Sequence, residues 1–204
     1  MRSLLDSRFR LLSLAGQGAA GEVHRGVDEQ TQEPVAVKIL AGLADDEHAA
    51  ERFSREIDVL RAIDSPHVVK YVSDGRDPNG SPYVAMKWLD GEDLLHRLRR
   101  GPVDWPLALE IVRQAAAGLA ALHHAGVVHR DIKPGNLMLT ENAGGGVHVT
   151  LIDLGVAHLL TADKLTQVGT MIGTPHFMSP EQILGTAPMS PASDVFSLGV
   201  MLFE

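Results

Sequence analysis

Apolar and polar positions alternate along much of the first ninety residues, which is the pattern of short, half-buried strands. Four runs show it: residues 22–27, 35–40, 68–72 and 83–89. Turn-forming residues separate the members of each pair, at 28–31 and at 77–80. The sequence therefore predicts a small antiparallel sheet built from hairpins.

Two longer segments repeat their apolar residues at helical spacing. One is residues 45–63, and the other is the alanine-rich segment 107–124. After residue 90 the spacing is mainly helical. We therefore predict an α+β protein with a mostly β N-terminal lobe over residues 1–89 and a mostly helical C-terminal lobe over residues 90–204.

Composition narrows the classes of protein that fit. The 204 residues are 45% hydrophobic and 22% charged, which is enough apolar material for a packed core. With 18 basic and 26 acidic residues the net charge is −8, so nucleic acid is not an expected partner. The chain has no cysteine and no apolar stretch at its start that suits a signal peptide or a membrane span. We expect a cytoplasmic location.

Gly16, Gly18 and Gly21 fit the pattern G-x-G-x-x-G, which several kinds of loop share. The loop could be an ordinary turn, or a dinucleotide-binding loop if a helix opened at the third glycine. It could also be the bend of a hairpin that folds over the phosphates of ATP. The residues that follow, 22–27, alternate like a strand, which favours the hairpin.

A lysine on the next strand and a carboxylate on the first helix extend the ATP interpretation. Lys38 ends the run Val-Ala-Val-Lys and could by itself be a solvating charge on an edge strand. Glu56 lies on the helical stripe of Phe53, Leu60 and Ile63, so its carboxylate points in the same direction as the apolar side of the helix. A buried carboxylate needs a cation, and Lys38 is the available candidate.

A run of polar residues after the long helix completes a recognisable set. The six motifs occur in order: Gly16 to Gly21, Lys38, Glu56, His129 to Asn136, Asp153 to Gly155, and Ser179 to Glu181. Together they resemble the eukaryotic-like serine/threonine protein kinases that also occur in bacteria. The resemblance covers about residues 9 to 204 and implies a two-lobed kinase fold, ATP, and Mg²⁺ or Mn²⁺.

The resemblance assigns a chemical role to each motif residue. It implies that Asp131 orients and deprotonates the substrate hydroxyl and that Lys133 steadies the transferring phosphate. Asn136 and Asp153 would hold Mg²⁺ through oxygen atoms. Lys38 would bind the α and β phosphates while Glu56 fixes it.

The resemblance also places an adenine site. The linker between the lobes would offer backbone groups of Lys87, Trp88 and Leu89 to the base, and Asp93 would reach the ribose. The apolar residues around the base would be Val23, Ala36, Met86 and Met138. Each of these apolar residues is equally an ordinary core residue.

Lys133 is typical of kinases that act on serine or threonine. The segments 173–175 and 179–181 resemble the part of such kinases on which a peptide docks, so a protein substrate is favoured. Thr174 matches the threonine that docks the substrate. Thr166 and Thr170 lie where such kinases are phosphorylated, and a phosphate there could order the segment against Arg130. Both threonines could instead be exposed loop residues with no role. Autophosphorylation makes a homodimer possible.

The end of the chain leaves a second function open. Residues 193–199 resemble the start of the large central helix of the helical lobe, so we expect the C-terminal helices to be missing and the chain to be truncated. Glu181 would then lack the arginine expected to pair with it. The alternative function is a non-catalytic, nucleotide-binding or regulatory module resembling a pseudokinase.

Overall fold

The computed structural model describes residues 4–18, 21–41, 57–142, 144–154, 175–186 and 188–204. They form two compact units. The first contains the described residues up to 62 together with 70–88, and the second contains 63–69 and the described residues from 89 onward. Residues 63–69 join the second unit because Val69 donates its N–H to the carbonyl of Leu151 at 2.9 Å.

The first unit is built on a six-stranded antiparallel sheet with the strand order β1-β2-β3-β4-β6-β5. The strands are β1 (Leu4–Leu5), β2 (Phe9–Gly18), β3 (Gly21–Asp28), β4 (Pro34–Leu40), β5 (Tyr71–Arg76) and β6 (Pro82–Lys87). The strand predicted at 68–72 is displaced to β5. Val68 instead forms an isolated parallel bridge with Leu151.

One face of this sheet forms the core of the first unit. Its buried members are Leu5, Phe9, Leu11, Val35, Val37, Tyr83 and Ala85. The rings of Phe9 and Tyr83 meet edge to face, with their centroids 6.0 Å apart. Alternation along β4 therefore leaves its other residues on the opposite face of the sheet.

Two ion pairs fasten the edges of the first unit. The buried carboxylate of Asp28 accepts hydrogen bonds from the guanidinium of Arg8, the closest at 2.7 Å. Arg61 belongs to helix α1, which is described over residues 57–62, and it donates to Asp74 on β5 at 2.9 Å. The helix is thereby tied to the sheet.

The second unit combines a three-stranded antiparallel sheet with four described helices. The strands are β7 (Glu92–Asp93), β8 (Leu137–Glu141) and β9 (Val147–Leu151), and the helices are α2 (Leu94–Leu98), α3 (Trp105–His124), α4 (Pro180–Leu184) and α5 (Pro191–Phe203). Short 3₁₀ turns cover Pro134–Asn136 and Pro175–Phe177.

Helix α3 is the 20-residue element on which the second unit is assembled. It begins two residues before the predicted start because Asp104 caps it, accepting the N–H of Leu107 at 3.0 Å. Gly118 lets the helix approach its neighbours closely, since a Cβ there would lie 2.6 Å from the carbonyl oxygen of His67. Within the described residues, no helix has the combined length and apolar composition that a membrane crossing requires.

Candidate active site

The first unit gathers four of the predicted nucleotide-binding residues on one face of its sheet. Lys38 lies opposite Val23 on β3, and Ala36 lies opposite Met86 on β6. Residues 36 and 38 alternate with the core residues of β4, so all four side chains share the face away from the core. Lys38 is only 8% exposed. The structure therefore brings a buried cation next to the apolar residues predicted to surround a base.

The glycine loop is the bend of the β2–β3 hairpin. Gly18 pairs with Gly21, whose φ is 131° and whose Cβ would lie 2.0 Å from the carbonyl oxygen of Ile39, so only glycine fits there. At Gly16 and Gly18 an added Cβ would meet no atom of the described residues within 4 Å. A strand, not a helix, follows Gly21. The dinucleotide-binding alternative is therefore wrong, because it needs a helix N-terminus at that point.

The linker residues are partly committed to the sheet. The N–H of Lys87 donates to the carbonyl of Lys70 at 2.9 Å, and the N–H of Trp88 donates to the carbonyl of Pro34 at 3.2 Å. The next residue, Leu89, is half-buried. An adenine base bound at residues 87–89 would therefore contact backbone groups other than the N–H groups of Lys87 and Trp88.

In the second unit, the predicted catalytic run, residues 129–136, places two predicted residues around the carboxylate of a third, Asp131. Lys133 Nζ donates to Asp131 Oδ2 at 2.7 Å, and Asn136 Nδ2 donates to the same oxygen at 3.0 Å and to the carbonyl of Asp131 at 2.7 Å. Burial by itself raises the pKa of the Asp131 carboxyl, but the hydrogen bond and charge of Lys133 and the bond from Asn136 outweigh it and lower that pKa. Asp131 is therefore ionised at neutral pH.

The two predicted metal ligands belong to adjoining segments. Asp153 lies two residues after β9, and the residue between, Ile152, donates its N–H to the carbonyl of Asn136 at 3.0 Å. Asp153 has a φ of 59°, a left-handed conformation that aspartate adopts uncommonly. Because the amide nitrogen of Asn136 is used by Asp131, its amide oxygen is the atom that could bind a metal ion. That oxygen and the carboxylate of Asp153 are both hard donors, which fits Mg²⁺.

Asp93 and Met138 also come together, as cross-strand partners on β7 and β8. They line a cavity of about 550 Å³ whose other lining residues are Gly91, Glu92, His96, Arg99 and Arg100. Asp93 caps α2 by accepting the N–H of His96 at 2.8 Å, and its second oxygen lies 2.5 Å from Nδ1 of that histidine. The carboxylate of Asp93, which was predicted to reach the ribose, thus already caps α2.

The catalytic run is held by a buried aspartate from α5 that was not predicted from the sequence. Asp194 is 1% exposed and accepts the N–H groups of His129 and Arg130, each at 2.8 Å. It also lies 2.7 Å from Nε2 of His123. Its spacing from Leu198 and Met201 on the buried stripe of α5 is the signal that singled out Glu56 on the first helix.

His129 is fully buried and supports the neighbouring segment. Its Nε2 lies 3.0 Å from the carbonyl of Ile152, so this nitrogen carries the proton and donates. Burial lowers the pKa of His129, which keeps the ring neutral. The histidine therefore joins the catalytic run to the strand end that bears Asp153.

Glu181 has a partner that differs from the one expected. From the sequence, Glu181 lacks the arginine expected to pair with it. In the structure, the hydroxyl of Ser193 donates to Glu181 Oε1 at 2.5 Å. That hydrogen bond lowers the pKa of the Glu181 carboxyl. A serine at the start of α5 thus ties that helix to α4.

The remaining predicted residues lie outside the part of the chain that the structure describes: Glu56, Thr166, Thr170 and Thr174. Arg130, their proposed regulatory partner, is described and half-buried. Its Nε atom is buried and has no hydrogen-bond partner among the described residues. Within the same ranges, no three His, Asp or Glu side chains are grouped so as to hold a metal ion.

The chain is similar to known proteins along nearly its whole length. The family model described as "Protein kinase domain" matches residues 9–204. Serine/threonine-protein kinase pkn2 of Myxococcus xanthus is 39% identical over 98% of this chain and 24% of that protein. Serine/threonine-protein kinase PknL of Mycobacterium tuberculosis is 34% identical over 99% of this chain and 50% of that protein. The chain thus spans half or less of the length of these relatives.

Solved structures share the fold. The kinase domain of Mycobacterium tuberculosis PknI matches with a TM-score of 0.77 and 25% identity, over 100% of this chain and 74% of that one. A structure of Rad53 in complex with AMP-PNP matches with a TM-score of 0.76 and 26% identity, over 96% of this chain and 47% of that one. These matches confirm the predicted two-lobed α+β kinase fold. The chain belongs to the protein kinase domain family, and the relatives named above are bacterial serine/threonine-protein kinases.

Proposed function

We propose that this chain transfers the γ-phosphoryl group of ATP to serine or threonine hydroxyls of protein substrates. The observation that carries the proposal is that the carboxylate of Asp131 accepts hydrogen bonds from Lys133 and Asn136, which favour its ionised form. The names of the relatives and the AMP-PNP in the Rad53 structure support the substrate class and the nucleotide. AMP-PNP has the shape and charge of ATP.

Asp131 would act through Oδ1. Lys133 and Asn136 both bind Oδ2, so Oδ1 is the oxygen that would accept the hydrogen bond of the substrate hydroxyl. As the hydroxyl oxygen bonds to the γ-phosphorus, the bond from that phosphorus to the leaving ADP oxygen breaks and the proton passes to Asp131. Lys133 would stay close enough to offset negative charge on the transferring group.

Asn136 and Asp153 would hold the metal ion, Mg²⁺ or Mn²⁺. When bound, such an ion offsets the negative charge of the phosphates. Asp153→Asn should therefore raise the Mg²⁺ concentration that ATP binding needs, whereas Asp131→Asn should abolish transfer without that change. Titration of ATP binding with MgCl₂ in both variants checks this, because binding can be measured where transfer is lost, and equal metal dependence would contradict the separate roles.

In the first unit, Lys38 would bind the α and β phosphates, with Glu56 as its proposed partner. The glycine hairpin would cover the phosphates, and Val23, Ala36 and Met86 would contact the base. Lys38→Met should abolish phosphoryl transfer and leave folding nearly unchanged, because the methionine keeps the packing of the lysine stem. Activity within about tenfold of the wild type, or about 1.4 kcal/mol, would show the assignment to be wrong.

Arg130 suggests how the activity is controlled. Its guanidinium includes a buried donor without a partner among the described residues, and a phosphate is an anion that arginine binds well. We propose autophosphorylation at Thr166, Thr170 or both, in a homodimer, and docking of substrate near Thr174. Mass spectrometry after incubation with Mg-ATP should find the phosphate, and the double alanine variant should be slow. Full activity of that variant would exclude this control.

The non-catalytic alternative is tested by measuring binding and transfer together. A kinase should show both a thermal shift with Mg-ATP and incorporation of phosphate into a protein substrate, whereas a nucleotide-binding module should show the shift alone. We propose the cytoplasm as the location, because ATP is available there and a chain without cysteine suits a reducing compartment.

A further inference from the structure

Arg130, the residue before Asp131, is held from both sides in an unusual backbone conformation. Its φ is 68°, in the left-handed region that non-glycine residues seldom adopt without support. Its N–H donates to Asp194 Oδ1 at 2.8 Å. Its carbonyl oxygen accepts a hydrogen bond from Gln182 Nε2, also at 2.8 Å. Asp194 and Gln182 come from two different helices, α5 and α4.

The hydrogen bonds around Gln182 fix the orientation of its amide. Its Oε1 accepts both the N–H and the hydroxyl of Ser179, each at 3.0 Å. If the amide were flipped, its NH₂ group would face the N–H of Ser179 and its oxygen would face the carbonyl of Arg130, so both contacts would be repulsive. Ser179 is fully buried and Gln182 is half-buried. The donor of Gln182 is therefore aimed at Arg130.

The carbonyl of Arg130 and the N–H of Asp131 belong to one peptide group. A hydrogen bond to that carbonyl fixes the plane of the peptide, and with it the direction in which the chain enters Asp131. The donor belongs to α4, whose cap residue Ser179 opens the Ser-Pro-Glu motif. This contact therefore joins the segment after residue 174 to the carboxylate of the catalytic run.

We propose that Gln182 is a positioning residue for the catalysis by Asp131, acting through the carbonyl of Arg130. The inference rests on the proposed kinase function. Asp194 holds the N–H side of Arg130, and Gln182 holds its carbonyl side. Loss of the second contact frees the peptide plane and lets the carboxylate depart from the geometry that the hydroxyl needs.

The test changes the donor of Gln182 and keeps its size. Gln182→Glu retains an oxygen for Ser179 but sets a carboxylate against the carbonyl of Arg130. Gln182→Met has a similar length and no charge, so it separates loss of the donor from the effect of a new charge. The matched control is Gln114→Glu, because Gln114 on α3 also donates to a carbonyl, of Val147, and accepts an N–H, of Val149, away from the catalytic run.

Both Gln182 variants of the full chain should lose at least about tenfold in kcat, with KM for ATP changed less than about twofold. In ¹⁵N–¹H spectra the amide signal of Asp131 should move in both, because its nitrogen shares the peptide group with the Arg130 carbonyl. Gln114→Glu should lower the melting temperature yet leave kcat and that signal unchanged.

Two failures can be told apart. If the wild-type chain incorporates no phosphate into protein, the proposed kinase function is wrong. If the wild type is active and either Gln182 variant keeps kcat within about threefold, or leaves the Asp131 amide signal in place, the role given to Gln182 is overturned. If a variant is too unstable for kinetics at the assay temperature, the spectra still show whether loss of the hydrogen bond to the Arg130 carbonyl has changed the Asp131 amide, because they are recorded at low temperature on the folded protein.

Discussion

Removal of the Asp194 carboxylate should strongly destabilise the second unit. Asp194→Ala leaves two backbone N–H groups, of His129 and Arg130, without an acceptor, and also loses the contact with His123. Hydrogen bonds to a charged group contribute about 1.5–3 kcal/mol each, so three of them set an upper limit of about 9 kcal/mol. The variant also removes a buried charge whose desolvation opposes folding. We therefore expect a net loss of about 4 kcal/mol, near the values for a broken buried ion pair.

Urea denaturation followed by circular dichroism measures the loss as a change in the free energy of unfolding. Asp104→Ala is the control, because Asp104 also accepts a backbone N–H at a helix start but does so at an exposed position. That cap should contribute only about 1 kcal/mol. If the two substitutions cost the same within about 1 kcal/mol, the three contacts of Asp194 do not carry the energy assigned to them.

Three further expectations concern stability. Gly118→Ala should destabilise the protein by about 1–3 kcal/mol, because the new Cβ would lie 2.6 Å from a backbone oxygen. Gly199→Ala should instead stabilise it by up to about 1 kcal/mol, because a Cβ there would meet no atom of the described chain within 4 Å. Thermal melts of both variants check the opposite signs. The hydrogen bond from Arg8 lowers the pKa of Asp28, so the wild type should have a higher free energy of unfolding than Asp28→Asn. This difference should be complete above the ordinary carboxyl pKa of about 4 and should shrink as the pH falls further. Denaturation at a series of pH values measures the difference, and a difference that grew in acid would contradict the assignment. Arg61→Ala should cost less than about 1 kcal/mol in urea titrations, since Arg61 is 54% exposed and its pair with Asp74 is screened by solvent; a loss above about 2 kcal/mol would refute this.

The sequence predicted those parts of the fold and site that depend on residues close together along the chain. The β3–β4 hairpin follows from alternation and a polar turn, and the group of Asp131, Lys133 and Asn136 forms within one short run. The face shared by Val23 and Lys38 follows from the same alternation once the strands pair. Local periodicity contains this information directly.

The parts that sequence missed depend on partners far along the chain. Val68 has the same apolar pattern as the start of β5, but its pairing with Leu151 removes it from the first sheet, and the pattern around Val68 does not specify that partner. Asp194 could have been found, because its spacing with buried residues of α5 follows the rule applied to Glu56. Gln182 could not have been found. Its amide group donates to the carbonyl of Arg130, which lies 52 residues earlier in the chain, and a glutamine in a short exposed helix has no distinctive pattern.

The position of Asp194 in the chain has a consequence for the order of folding during synthesis. The two amides that it accepts belong to residues made 65 and 64 positions earlier. While the ribosome is still adding the intervening residues, those amides have no carboxylate to bind, so the catalytic run can reach its final geometry only after α5 has emerged. A nascent chain of this protein would thus hold Asp131 in its final position only once synthesis has passed the helix that supports it.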